Sequence, residues 1–211
     1  MSVSGHNPGV STATNLWPVW AGVALWYEAA AHQARQTVVE RGPEAEGFLE
    51  VFEAEFHSSL ISVVSCALSI EDLFGTLVTA EPSARKECGS REATIRESFK
   101  MLFHAGKYND RWVTEFGWLF ELRHRAVHHE STTLHNSRPH NSGVTNSGLD
   151  NELYCSESAK RAVDLMLEVL DVATSKPKKS TKEWASGHRA VVEDLDKKRL
   201  QLPRLNEVDR P

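Results

Sequence analysis

Eight apolar residues, Phe52, Phe56, Leu60, Val63, Ala67, Ile70, Phe74 and Leu77, follow one another in steps of three and four. Side chains advance by about 100° per residue in an α-helix, so this stepping places all of them on one face. A strand requires alternation by two, which the pattern lacks. The chain must therefore fold around a long amphipathic helix, predicted over 46–79. A bend is expected near His57-Ser58-Ser59.

Other segments repeat the signal. Trp17, Trp20, Ala24, Tyr27, Ala31, Ala34 and Val38 define a helix over 16–39, with Pro18 in its tolerant first turn. A short helix over 91–105 turns Ile95, Phe99 and Leu102 inward, with Ser90 as its N-cap. Another runs from about Asp110 to His129. A helix over 157–174, capped by Ser156, aligns Ala162, Val163, Met166, Leu170 and Ala173. Ser180-x-x-Glu183 forms a capping box for a weaker helix over 182–198. No segment alternates as a strand does. The expected fold is all-α: an antiparallel four- to five-helix bundle with an extra C-terminal helix.

Three regions follow. Residues 1–15, rich in Ser, Gly and Thr, read as a disordered N-terminal segment; 16–175 as the bundle; 176–211 as a polar linker (SKPKKSTK), a short helix and a loose tail. Within the bundle, 130–154 is rich in Ser, Asn, Gly, Thr and His and reads as a long irregular loop.

Composition narrows the function classes. The net charge of −5 argues against general electrostatic nucleic-acid binding, so any such contact needs a local basic patch. The three cysteines, Cys66, Cys88 and Cys155, are odd in number and widely spaced, which argues against a disulfide framework or a cysteine-based zinc site. A reducing cytoplasm is the expected setting. The first Lys or Arg is Arg35, so the N-terminus does not read as a secretory signal, and the apolar stretch 16–27 is too short to cross a bilayer. A soluble, membrane-free protein is expected.

The stretch ELRHRAVHHE, 121–130, interrupts the apolar helix before it. With Phe116 at zero on a helical wheel, Trp112, Val113, Leu119, Phe120 and Val127 lie within about 60° of it. Arg123 lies at about −20°, inside that apolar arc. His124 and His128 fall at about +80° and +120°, while Arg125 and His129 point away from the core. A guanidinium on an apolar face stays charged and needs an acceptor. On the long helix, with Ala67 at zero, Glu71 falls at about +40°, inside the apolar stripe. A Glu71–Arg123 pair that only fixes helix register is one account; a functional arginine facing a cleft or a subunit interface is the other.

Arg123-His124-Arg125-Ala126-Val127-His128 resembles the Arg-polar-x-x-x-His signature of HEPN (higher eukaryotes and prokaryotes nucleotide-binding) domains. In that family the signature closes the penultimate core helix of a helical bundle. The resemblance spans about 16–174, with Arg123 in the Arg place and His128 in the His place. His124 stands where Asn is commonest, and His129 offers a five-residue interval instead. The resemblance implies a metal-independent endoribonuclease in which the RNA 2′-hydroxyl attacks the adjacent phosphodiester, and no cofactor is expected. Arg123 would hold the scissile phosphate and His128 would move protons, supported by His124, Glu71 and His129. It further implies a homodimer that unites two sites in one cleft, and a toxin or antiviral role with an antitoxin protein as partner. Arg111, Arg125, His135, Arg138 and His140 are candidates for a basic rim contacting RNA; for each, a plain solvated side chain is the competing account.

His124 and His128, four apart, have the spacing of metalloprotease helices, but Arg125 stands where H-E-x-x-H needs its glutamate, and no metal is expected. No P-loop, dinucleotide or serine-hydrolase motif is present. The alternative to a ribonuclease is a catalytically silent HEPN-like helical module that binds a protein partner or a nucleotide.

Overall fold

The computed structural model describes residues 15–104, 110–128 and 153–203. Among these, six α-helices form an all-α bundle: α1 (Trp17–Arg41), α2 (Phe48–Ala80), α3 (Arg91–Leu102), α4 (Arg111–His128), α5 (Ser156–Ser175) and α6 (Lys182–Gln201). The expectations for 1–14, for most of the 130–154 loop and for the tail beyond 203 lie outside the described residues.

Helix α2 is the core, packing on α1, α3, α4 and α5. It runs unbroken through His57-Ser58-Ser59. By length and composition it is apolar enough to cross a membrane, with a mean hydropathy of 1.6 over its most apolar window; here neighbouring helices cover its apolar face. Val63, Ala67, Ile70, Phe74 and Leu77 are fully buried as the stepping predicts, while Phe56 and Leu60 are half-buried.

Helices α1 and α2 run antiparallel, as their side-chain bonds show. Ser69 Oγ donates to Trp17 O, and Ser62 Oγ donates to Ala24 O, both at 2.9 Å. Further along, Arg35 pairs with Glu55 at 3.9 Å. Four serines of α2, Ser59, Ser62, Ser65 and Ser69, are buried, and two of them bond directly to α1 carbonyls. The buried face of α1 keeps Trp17, Ala24, Ala31 and Val38 of the predicted one but is shifted to one side. Ala21, Leu25, Glu28 and Arg35 are buried, whereas Trp20, Tyr27 and Ala34 are half-buried. The turn between them needs glycine twice: Gly42 and Gly47 both have φ of 75°, in the left-handed region.

Several helix ends differ from the caps expected of the sequence. Ser90 caps α3 as predicted, accepting from Ala93 N–H at 3.3 Å. Leu16 has no capping side chain, and Asp72 of α2 accepts from both Leu16 N–H (2.8 Å) and Trp17 N–H (2.7 Å) instead. Ser156 is the first residue of α5 rather than its cap, and its N–H donates to buried Glu55 at 3.1 Å. The Ser180–Glu183 capping box does not form. Thr181 precedes α6 and turns its hydroxyl to Leu102 O at 3.1 Å.

The segment read as a linker is pinned. Phe103 leaves the α3 helix with extended backbone and bridges antiparallel to Pro177. His104 N–H donates to Lys176 O at 2.7 Å, and Lys178 N–H to Leu102 O at 2.9 Å. This tether ties the end of α3 to the α5–α6 connection and docks α6. Ala185, Val192 and Leu195 are buried, and Trp184 packs on Trp17 with ring centroids 6.1 Å apart.

Candidate functional site

Helix α4 carries the signature. Trp112, Val113, Phe116, Leu119, Phe120 and Leu122 form its buried face, anchoring it to the aromatic cluster around Phe99. Val127, expected on that arc, is 53% exposed, while its neighbour Ala126 packs against the core.

Arg123 is half-buried and does meet Glu71: its Nη2 donates to Glu71 Oε2 at 3.3 Å. The other Glu71 oxygen lies 3.8 Å from Arg91 Nε, and the Arg91 guanidinium sits 4.9 Å over the Phe74 ring. One carboxylate thus stands between two guanidiniums, leaving the trio with a net positive charge. Arg123 Nε is buried and has no hydrogen-bond partner among the described residues. A guanidinium has five N–H groups, so Arg123 retains donor capacity beyond its bond to Glu71.

His124 and His128 are exposed one helical turn apart, with ring centroids at 4.5 Å. They share one flank of α4. Arg123 and His128 are five residues apart and so point about 140° apart around the helix. Within one copy, the arginine faces α2 while the histidine faces solvent.

The remaining candidates are dispersed. Arg125 pairs with Glu121 at 2.9 Å. Arg111 lies at the other end of α4, about 18 Å from Arg123 by helix rise. It pairs with Glu115 at 3.2 Å, and Arg161 also pairs with Glu115 at 3.2 Å. Hydrogen bonds from Arg111 and Arg161 outweigh the effect of burial and hold the Glu115 carboxyl below its ordinary range. His129, His135, Arg138 and His140 lie outside the described residues. Among the described residues, no three His, Cys, Asp or Glu side chains gather as a metal-binding group.

Two neighbours of the site carry no sequence signal: Arg91, at the start of α3, and Tyr154. Tyr154 is buried, donates to Leu122 O at 2.6 Å and meets Phe56 edge-on at 5.8 Å. It ties the chain entering α5 to the turn of α4 that bears Arg123. A second charged cluster does have a signal, outside any motif. With Ala24 at zero, Glu28 and Arg35 fall at about +40° and +20° on the α1 wheel, as misplaced as Arg123. Both are buried. Glu28 lies 3.7 Å from Arg199 of α6 and 3.8 Å from His32, while Arg199 also bonds Asp164 of α5.

No family model, curated protein or solved structure matches the chain. The likeness to HEPN domains therefore rests on the residues 123–128 and their place at the end of a core helix.

Proposed function

We propose that the protein is a metal-independent endoribonuclease of the HEPN type, in which Arg123 and His128 act on RNA. The observation that carries this reading is the end of α4. A half-buried arginine with spare donors stands beside two exposed, mutually packed histidines, at the close of an apolar helix in an all-α bundle.

In this mechanism Arg123 donates to the non-bridging oxygens of the scissile phosphate. It stabilises the added negative charge of the pentacoordinate transition state. Glu71 holds the guanidinium in place. His128 takes the proton from the attacking 2′-hydroxyl or gives one to the departing 5′-oxygen, leaving a 2′,3′-cyclic phosphate. The divergence of Arg123 and His128 around the helix fits a site completed by a second copy, each contributing to a shared cleft. Exposed Val127 lies between His124 and His128 in sequence and offers such a copy an apolar surface.

The Glu71–Arg123 bond also favours a second reading. A paired arginine can serve only to set the register of α2 against α4, in a silent module that binds a protein or a nucleotide. Cleavage of RNA in EDTA, followed for wild type, Arg123→Ala and His128→Ala, decides between them. The ribonuclease reading expects both variants to lose activity by at least about a hundredfold. It also expects a substrate with a 2′-deoxy sugar at the cut site to resist. Variants as active as wild type would leave the silent module standing.

A further inference from the structure

The arginines around α4 all have carboxylate partners: Arg111 with Glu115, Arg123 with Glu71, Arg125 with Glu121 and Arg161 with Glu115. The cations of the SKPKKSTK stretch do not follow this rule. Where the end of α3 meets the α5–α6 connection, an open groove of about 580 Å³ is lined by His104, Ser175, Lys176, Lys182, Ser186 and Arg189, with Pro177 and Ala185. Its charged lining is Lys176, Lys182 and Arg189, with no carboxylate among the lining residues, on a chain whose net charge is −5.

Neither Lys176 nor Lys182 has an ion-pair partner within 4 Å among the described residues. Arg189 is held in place by its bond from Nη2 to Thr174 O at 3.1 Å. Lys178, in the same stretch, is committed elsewhere, donating from Nζ to Lys100 O at 2.8 Å. Two carboxylates are close in sequence, Asp171 and Glu183; neither lines the groove, although Asp171 Oδ2 accepts from the lining Ser175 Oγ at 3.5 Å. The first five residues of α6 contribute Lys182, Ala185 and Ser186, and the helix dipole there adds to the positive sign. The tether between His104 and Lys176 builds the groove into the fold: its walls come from three parts of the chain held by backbone bonds.

We propose that this groove is an anion site that binds a phosphate ester, supplied by a mononucleotide or by the backbone of a nucleic-acid strand. Three cations, with the Ser186 hydroxyl and the His104 imidazole, line a volume within the range of small-ligand sites. Lys176 and Lys182 are free of ion pairs within 4 Å among the described residues, which distinguishes them from the paired arginines of α4.

Binding in this groove does not depend on cleavage at Arg123, and its test is independent of it. The full chain is titrated with a fluorescent 2′-deoxy oligonucleotide, which cannot undergo 2′-hydroxyl attack, over a series of salt concentrations. Adenosine monophosphate and inorganic phosphate are the competitors. Lys176→Gln/Lys182→Gln is expected to weaken oligonucleotide binding about tenfold. It also lowers the slope of log K against log salt by about 0.7 for each phosphate that the lysines no longer neutralise. Lys198→Gln, an exposed lysine elsewhere on α6, is expected to bind like wild type. Competition by adenosine monophosphate and inorganic phosphate identifies a single-phosphate site. Binding of the strand without such competition identifies recognition of the strand backbone. A wild type that binds neither probe at low salt, or a double variant with wild-type affinity and slope, overturns the proposal.

Discussion

Arg123 breaks the apolar arc of α4, and Glu71 is its counterweight on α2, at 3.3 Å. Both side chains keep some solvent exposure, so their coupling in a double-mutant cycle of Arg123→Met and Glu71→Gln is expected to be roughly 1 kcal/mol. Chemical denaturation measures it, and a coupling near zero would remove the register role. His128 is exposed on the last turn, and His128→Ala is expected to change stability by less than about 0.5 kcal/mol. Loss of RNA cleavage in a variant with an unchanged melting curve therefore reports on function rather than folding. Asp164 gives a pH signature. Burial raises its carboxyl, but hydrogen bonds from Arg199 and Lys160 outweigh this and hold it below its ordinary range. Its contribution to stability is present above the unfolded aspartate value of about 3.9 and is lost as pH falls through the lower folded value. Asp164→Asn is expected to melt earlier than wild type at neutral pH, with the gap closing in acid. A gap independent of pH would contradict this.

Helices α1 and α2 are set against each other by buried polar side chains as well as by apolar ones. Ser62 is fully buried and donates to Ala24 O, at the interface of α1 and α2. Ser62→Leu forces bulk into that interface and is expected to cost roughly 1–3 kcal/mol, whereas Ser62→Ala loses about 1 kcal/mol with its hydrogen bond. Equal melting temperatures for the two variants would show that the backbones do not need the small residue. Gly117 tests α4 itself. It is exposed within the helix, and a Cβ added there meets nothing within 4 Å. Gly117→Ala is expected to stabilise the protein by roughly 0.5–1 kcal/mol, seen as a higher melting temperature. The same helix shows where periodicity stops being informative. Val127 belongs to the apolar arc by angle, yet it is exposed while its neighbour Ala126 packs against the core.

At the scale of the molecule, the C-terminal helix is part of the core. It supplies Val192 and Leu195 to the main hydrophobic cluster and sets Arg199 between buried Glu28 and Asp164. Ending the chain after Ser175 removes that cation and leaves Glu28 with less compensation for its burial. The expected loss is roughly 3 kcal/mol or more, which lowers the melting temperature by about 6–12 °C. A truncated chain that melts like the full one would make α6 an appendage. The tether at Phe103 and Pro177 joins the end of α3 to the chain leading into α6, beside the basic groove.

Periodicity determined the fold class, the positions of the helices to within a few residues and the two stripes that make Glu71 and Arg123 conspicuous; residue type determined the Ser90 cap. These are local properties: side-chain angle repeats every turn, and a cap lies within three residues of its donor. Which groups meet was decided only in three dimensions. Asp72 caps a helix from 55 residues away, Glu55 receives the N–H of Ser156 across 101 residues, and Tyr154 holds the turn that bears Arg123. The polar stretch SKPKKSTK becomes a groove wall through backbone bonds to Leu102 and His104. No periodic pattern encodes such meetings, because each depends on where two distant segments are brought together when the apolar faces are buried.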